Sequence, residues 1–141
     1  MRGVLEGLLV EQFARQADGD AMARLDVAVA DLASAYEEAV IERIIAAKAE
    51  LYEVLCAGAD NFIVLELLSR LNTRINRLRF ASLSQPLRAK ASIAEVHALA
   101  DALKRRDAAE ARRIALGHID AAAAAALGAV PKNTASEEGT P

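Results

Sequence analysis

Residues 41–56 have the sequence IERIIAAKAELYEVLC, and this stretch predicts an α-helix with one apolar face. Its apolar side chains recur three or four residues apart, at Ile41, Ile44, Ile45, Leu51 and Leu55. Such spacing places them on one side of a helix, which other elements must then cover. Lys48 falls on the same face, with Tyr52 one turn further along. Because burying an unpaired ammonium is costly, Lys48 either extends its amine to solvent or meets an anion inside a cavity.

The same periodicity continues on both sides of this stretch and predicts a chain of helices without strands. Helices are expected over residues 4–16, 20–36, 38–56, 62–81, 92–106 and 107–126. Asp20 and Asp107 are predicted N-caps, and Ser92 with Glu95 has the spacing of a capping box. The second and third helices are either contiguous or meet at a kink near Glu37. Residues 82–86 are predicted to form a loop, because Pro86 disfavours helix before it.

The composition favours one small all-α domain. The chain has 141 residues, of which 54% are hydrophobic and only 4% aromatic. One core of that length, built from Ala, Leu, Ile and Val, suits closely packed helices. We expect a folded domain over residues 1–127 and a disordered polar tail over 128–141. The single Cys56 has apolar neighbours and predicts a buried thiol, and without a membrane span or signal peptide we expect a cytoplasmic protein.

Charge is distributed unevenly between the two halves of the chain. Residues 1–60 carry twelve acidic and five basic side chains, and residues 61–141 carry eight acidic and twelve basic ones. The basic surplus is densest between Arg70 and Lys90. This segment is either an anion or nucleic-acid patch, or a set of side chains that are ion-paired or solvated. Phe80 is the only aromatic residue in this segment, and the lack of further aromatic residues for base stacking favours the second interpretation.

Catalytic and metal-binding motifs are missing from the sequence. It has no phosphate-binding glycine loop, no nucleophile elbow, no HExxH and no CxxC, so we predict no enzyme, no cofactor and no metal. His97 is expected to face solvent, and His118 to lie at the edge of the core. The more promising residues are polar ones on or beside apolar faces, which together suggest a polar-lined cavity for a small molecule. These candidate ligand-binding residues are Lys48, Tyr52, Asn76, Arg79 and His118.

Several short motifs, taken in order, resemble a known family. Arg2 to Glu6 (RGVLE) resembles the R-x-x-L-E opening of the FCD domain, the effector-binding half of many GntR-type transcriptional regulators. The pair Leu51-Tyr52, followed at the family's spacing by AGADN over residues 57–61, is similar to its next landmark. The family's remaining landmarks are matched in order by residues 74–79 (RINRLR), residues 92–95 (SIAE), Asp107 and His118-Ile119. The resemblance covers residues 2–126.

The resemblance implies an antiparallel bundle of six to seven helices with a central cavity that binds a small organic acid or similar metabolite. Most members hold a divalent metal there through an Asp and three His. In this chain the Asp position falls on Lys48, the first His on Tyr52 and the second on Val96, with His97 out of register by one. Only His118 remains at a ligand position, so we predict no metal. In its place, the Lys48 ammonium supplies the positive charge that holds an effector carboxylate.

These observations lead to one functional prediction and one alternative. We predict the effector-sensing and dimerisation domain of a GntR-type regulator, a homodimer that makes no direct contact with nucleic acid or membrane. The winged-helix DNA-binding domain is expected to be absent from this chain, which is then a fragment or a stand-alone sensor. The alternative is a helical adaptor that binds no ligand and docks a partner on its basic face. It predicts a solid core and a solvated Lys48.

Overall fold

The computed structural model describes residues 1–71 and 86–129, which form helices and no strand. The helices are α1 (Arg2–Gln16), α2 (Gly19–Glu38), α3 (Ile41–Ala59), α4 (described over 62–71), α5 (Pro86–Lys104) and α6 (Ala108–Ala129). Each carries an apolar face toward a shared core, as the sequence periodicity requires. The predicted all-α helical bundle is confirmed.

Contacts between the helices establish their directions. Tyr52 meets Glu6, and Gln16 meets the carbonyl of Ala59, so α1 and α3 are parallel. Arg112 reaches Glu11 at 3.1 Å and Gly3 lies against Leu116, so α6 is antiparallel to α1.

Two further contacts place α2 and α5. A Cβ on Gly58 would lie 3.2 Å from Ala21, and Lys48 lies over the Tyr36 ring, so α2 runs opposite to α3. Lys104 near the end of α5 pairs with Asp26 near the start of α2. Helices α1, α3 and α5 therefore run one way, and α2 and α6 run the other.

The core follows the apolar stripes closely. Its largest fully buried side chains are Phe13, Leu9, Leu25, Leu32, Ile44, Leu68, Leu103 and Cys56. The buried Cys56 thiol is confirmed, and burial raises its pKa to about 11, so it stays protonated at neutral pH. Gly58 lets α3 approach α1, because a Cβ there would lie only 2.3 Å from the ring of Phe13.

Two predicted helix boundaries need correction. The cap of α2 is Asp18 and not Asp20, because Oδ1 of Asp18 accepts a hydrogen bond from the backbone N–H of Ala21 at 2.8 Å. Asp20 lies in the first turn instead and pairs with Arg24. Helices α2 and α3 are separate elements, since Ala39 adopts a left-handed conformation with φ of 58° and ends α2.

The predicted capping box at Ser92 and Glu95 is wrong. Helix α5 begins at Pro86, a residue type that favours the first helical turn, so Ser92 and Glu95 lie in its interior. Ser92 is buried, and the Glu95 carboxylate contacts side chains on α5 and α6. The Ser-x-x-Glu pattern forms a cap only at a helix start, where the backbone N–H groups have no partner within the helix. In the interior of α5 those N–H groups already donate to carbonyls of the preceding turn.

The turn between α5 and α6 matches its prediction more closely. Asp107 caps α6, with Oδ1 accepting from the N–H of Glu110 at 3.1 Å. Just before it, Arg106 adopts φ of 55° and donates to the carbonyls of Ala14 and Ala17. A cation at those carbonyls stabilises the C-terminal end of α1 and fixes α5 beside it.

Candidate functional site

A cavity of about 50 Å³ lies between α1, α2, α3, α5 and α6. Its polar lining residues come from four different helices and are Glu6, Lys48, Tyr52, Glu95 and His118. The rest of the lining is apolar: Leu9, Val10, Leu32, Leu51, Leu55, Val96, Leu99 and Ala115. A mostly apolar pocket with a few convergent polar groups is the usual form of a small-molecule site.

One polar cluster joins α1 to α3 at the cavity wall. The Tyr52 hydroxyl donates to Oε1 of Glu6 at 2.7 Å and accepts from Nη2 of Arg2 at 3.1 Å. Nε of Arg2 also donates to the same Glu6 oxygen at 2.9 Å. Burial, together with the Glu6 carboxylate, raises the pKa of Tyr52 above its usual range, so the hydroxyl stays protonated and keeps donating. Glu6, only 6% exposed, is thereby charge-balanced.

A second cluster joins α5 to α6. Arg88 and Glu95 form a bidentate pair, with Nη1 to Oε1 at 2.8 Å and Nη2 to Oε2 at 2.5 Å. Nδ1 of His118 contacts Oε2 of the same carboxylate, and Nη2 of Arg88 lies 3.2 Å from that nitrogen. An ionised carboxylate only accepts, so Glu95 favours the His118 tautomer with its proton on Nδ1.

The electrostatics of this cluster keep His118 neutral. Burial lowers the pKa of His118, and the nearby positive charge of Lys48 lowers it further, outweighing Glu95. Burial alone raises the pKa of Glu95, but hydrogen bonds from Arg88 and His118 outweigh it and hold that pKa below its usual range. Both glutamates of the lining have arginine partners, and Lys48 brings an ammonium group into the same lining.

The structure brings three of the five predicted ligand-binding residues together. Lys48, Tyr52 and His118 all line the cavity. The Tyr52 hydroxyl points to the Arg2–Glu6 pair, and Lys48 also lies 5.8 Å from the centre of the Tyr36 ring. The other two predicted residues, Asn76 and Arg79, lie outside the described residues.

Sequence reasoning missed four charged residues of the two clusters. Arg2 and Glu6 were noted only as a motif, although their i,i+4 spacing is that of a helical ion pair. Glu95 was assigned to a capping box, and Arg88 to a basic patch. The seven-residue spacing of Arg88 and Glu95 on one helix was the available signal.

The remaining predicted features can be placed as well. His97 is exposed, as predicted. Of the basic segment, Arg70 pairs with Glu66 and Arg88 with Glu95, so these two cations are ion-paired, while residues 72–85 lie outside the described residues. No group of three or more His, Cys, Asp or Glu side chains in the described part of the chain is arranged to hold a metal.

A sequence model of the FCD domain matches residues 1–121 of the chain. The chain belongs to the FCD domain family. FCD domains are typically the effector-binding, regulatory domains of GntR-family transcriptional regulators. No curated protein sequence matches the chain. Within residues 1–71 and 86–129, no helix is both long and apolar enough to cross a membrane.

Membership of the FCD family gives the two clusters a context. The Arg2 and Glu6 of the R-x-x-L-E opening form the ion pair that holds the Tyr52 hydroxyl. The four positions that the resemblance matched to the family's metal ligands, Lys48, Tyr52, Val96 and His118, all line the cavity. The neighbouring His97, one residue out of register, is exposed. The register of the resemblance and the geometry of the bundle therefore agree.

Proposed function

We propose that this FCD domain senses a small anionic metabolite, which binds in the cavity with its carboxylate against the Lys48 ammonium and without a metal. The observation that carries the proposal is the place of Lys48 in the lining of a mostly apolar cavity, at the position that the resemblance matches to a metal ligand of the family. An ammonium in a partly desolvated site attracts a carboxylate much more strongly than it does in water.

Other lining residues have supporting roles in this proposal. His118 flanks the ligand as the neutral imidazole that Glu95 orients through the Nδ1 proton. Tyr52 is a positioning residue, because its hydroxyl holds Glu6 and Arg2 in place. Asn76 and Arg79 are proposed to contact the ligand from the segment outside the described residues.

We further propose that effector binding acts through a homodimer on DNA-binding domains of a GntR-type regulator. A ligand shifts such an equilibrium only if it binds one arrangement of the helices better than another. The cavity is lined by five helices, so its occupancy is coupled to their relative positions. The adaptor alternative predicts a solid core and a solvated Lys48; the cavity and the position of Lys48 in its lining favour the sensor.

A thermal-shift titration with sodium salts of small carboxylic acids tests this proposal. At a hundredfold excess over Kd, a ligand adds about 2.7 kcal/mol of stability, which raises the Tm of a chain of this size by about 5–10 °C. Lys48→Met should abolish the shift, and Lys90→Met, which removes an exposed lysine outside the cavity, should retain it. Sodium chloride at equal ionic strength is the control for salt effects. Equal shifts in both variants would refute the role of Lys48.

A further inference from the structure

A groove on the surface of the bundle lies between α2, α3 and the start of α4. Its volume is about 620 Å³, so it admits several side chains of a partner at once. Val27 and Phe62 line the groove and are 62% and 57% exposed, although both are large apolar residues. Val54 and Leu65, also in the lining, are half-buried. Because exposed apolar side chains in a concave surface gain from being covered, the groove is a candidate docking surface.

Three acidic side chains accompany this apolar surface. Asp31 on α2 and Glu50 and Glu53 on α3 line the groove, and all three are exposed. Within the described part of the chain, none of them forms an ion pair or a side-chain hydrogen bond. Arg24, the basic residue of the described lining, is already paired, with its Nε 3.2 Å from Oδ2 of Asp20. The groove therefore presents uncompensated negative charge beside its apolar side chains.

The antiparallel packing of α2 and α3 gathers the three acidic residues at one end of the groove. Lys48 of α3 lies over the Tyr36 ring of α2, so residues that follow Lys48 face residues that precede Tyr36. Asp31 is therefore nearly level with Glu50 and Glu53. The start of α4 follows the end of α3, so its apolar residues lie roughly 9–15 Å further along, at 1.5 Å per residue. The groove thus has an acidic end and an apolar end.

The negative charge of the groove limits what can occupy it. In a twofold dimer that pairs the groove with itself, the acidic residues of two copies would meet each other or the apolar side chains. Both arrangements are unfavourable, because like charges repel and a carboxylate against an apolar surface loses hydration. Residues 131–141 carry two glutamates and one lysine, so this segment would add negative charge. The groove instead fits a partner that combines basic side chains with an apolar face.

We propose that this groove binds a basic amphipathic helix of a partner protein. The apolar face of that helix covers Val27, Val54 and Phe62, and its lysine or arginine side chains meet the acidic end. The lining residues of α2 run from Ala23 to Asp31, roughly 12 Å, which matches two turns of a helix lying in a groove. The groove and the cavity of the candidate site share no described lining residue, so this proposal does not depend on the proposed function.

Fluorescence anisotropy tests the proposal with a labelled synthetic peptide of about fourteen residues, in which lysine and leucine are arranged as a basic amphipathic helix. The full chain at pH 7 should bind this peptide about tenfold or more tightly than either of two control peptides. One control has the same composition in an order without an apolar helix face, and the other has glutamate in place of each lysine. Binding should weaken as sodium chloride is added, since salt screens exposed charges.

A pair of double variants tests the acidic end. Asp31→Asn combined with Glu50→Gln should weaken peptide binding about tenfold, because two of the three carboxylates lose their charge. Glu37→Gln combined with Glu42→Gln removes two exposed carboxylates from the same two helices outside the groove. This control should change the affinity by less than about twofold, since salt screens distant charges.

A pair of valine variants tests the apolar surface. Val27→Ser should weaken peptide binding about tenfold, because the partner covers this side chain only in the complex. Val4→Ser replaces a valine of α1 that is 69% exposed and lies outside the groove, so it should leave the affinity unchanged. The Tm and helical circular dichroism of each variant show that it is folded.

Three results would overturn the proposal. The first is a basic amphipathic peptide that binds the wild type no more tightly than the two control peptides do. The second is an equal loss of binding in the groove variants and in their controls, because binding would then be independent of the groove. The third is a dimer of the chain that dissociates in Asp31→Asn/Glu50→Gln, measured by light scattering, because a second copy would then occupy the groove.

Discussion

At the residue scale, Gly58 shows how one missing side chain determines a helix contact. A Cβ at this position would lie 2.3 Å from Cε2 and 2.5 Å from Cδ2 of Phe13, whose ring is fully buried and cannot move aside. We predict that Gly58→Ala lowers the free energy of unfolding by about 1–3 kcal/mol, measured by chemical denaturation. Gly117→Ala is the matched control.

The control substitution, Gly117→Ala, is expected to raise the free energy of unfolding. Gly117 is also within a helix, but nothing lies within 4 Å of a Cβ built there. Alanine should therefore stabilise the chain by about 0.4–1 kcal/mol through the reduced entropy of the unfolded state. If the two alanine variants had the same stability, the close approach of α3 to Phe13 would be contradicted.

The Tyr52 hydroxyl is the second residue-scale feature. It is the hydrogen-bond link between α3 and the buried Glu6, so Tyr52→Phe should cost about 1–2 kcal/mol of stability. A double-mutant cycle with Glu6→Gln, read by urea denaturation, should give a coupling energy of about 0.5–3 kcal/mol. Additive effects within error would show that the two side chains do not interact in solution.

At the element scale, the Arg88–Glu95 pair holds α5 against α6 through His118. The Arg88 side chain is only 8% exposed and that of Glu95 27%, so removing Arg88 leaves a partly buried carboxylate without its cation. We predict that Arg88→Met costs about 2–4 kcal/mol in urea denaturation. Arg113→Met breaks an equally bidentate pair with Glu110 in which the arginine side chain is 71% exposed, and it should have no measurable effect. Equal losses in both would contradict the structural role of the buried pair.

The same cluster predicts how stability depends on pH. The folded pKa of His118 lies below its ordinary value of 6.5, so the unfolded chain binds more protons as the pH falls through that value. Stability is therefore fully present above about pH 6.5 and declines below it, and the lowered pKa of Glu95 adds a further loss below its ordinary 4.5.

Thermal melts between pH 7.5 and pH 4 measure this dependence. We expect His118→Gln to remove most of the decline that begins below pH 6.5, because the amide does not titrate. His97→Gln, which replaces the exposed histidine, should keep the wild-type profile. A wild-type Tm that rises on acidification from pH 6.5 would contradict the assigned shift.

Comparison of α3 with α5 shows where sequence reasoning succeeds. The apolar stripe of residues 41–56 predicted α3 correctly, because its periodicity is long and regular. In α5 the Ser-x-x-Glu pattern suggested a start at Ser92, six residues after the true one at Pro86. A capping box forms only where backbone N–H groups at a helix start lack hydrogen-bond partners. Whether they lack them depends on where the surrounding helix begins, which the short motif does not specify.

At the scale of the whole molecule, the site depends on contacts between positions far apart in the chain. Lys48 and Tyr52 were found from the sequence because they interrupt an apolar stripe on one helix. Their partners were not, since Glu6 is 46 residues from Tyr52, and Arg88 is 30 residues from His118. No local pattern specifies such pairs, and they form only when the bundle brings α1 to α3 and α5 to α6.

Binding of a monocarboxylate to the wild type and to Lys48→Met tests the central claim most directly. Calorimetry with propionate at pH 7, with Lys90→Met as the control, should give saturable binding to the wild type and the control and none to Lys48→Met. Such a result would establish the cavity as an anion sensor that needs no metal. Equal affinity in all three proteins, or binding that appears only after a divalent metal is added, would contradict the account.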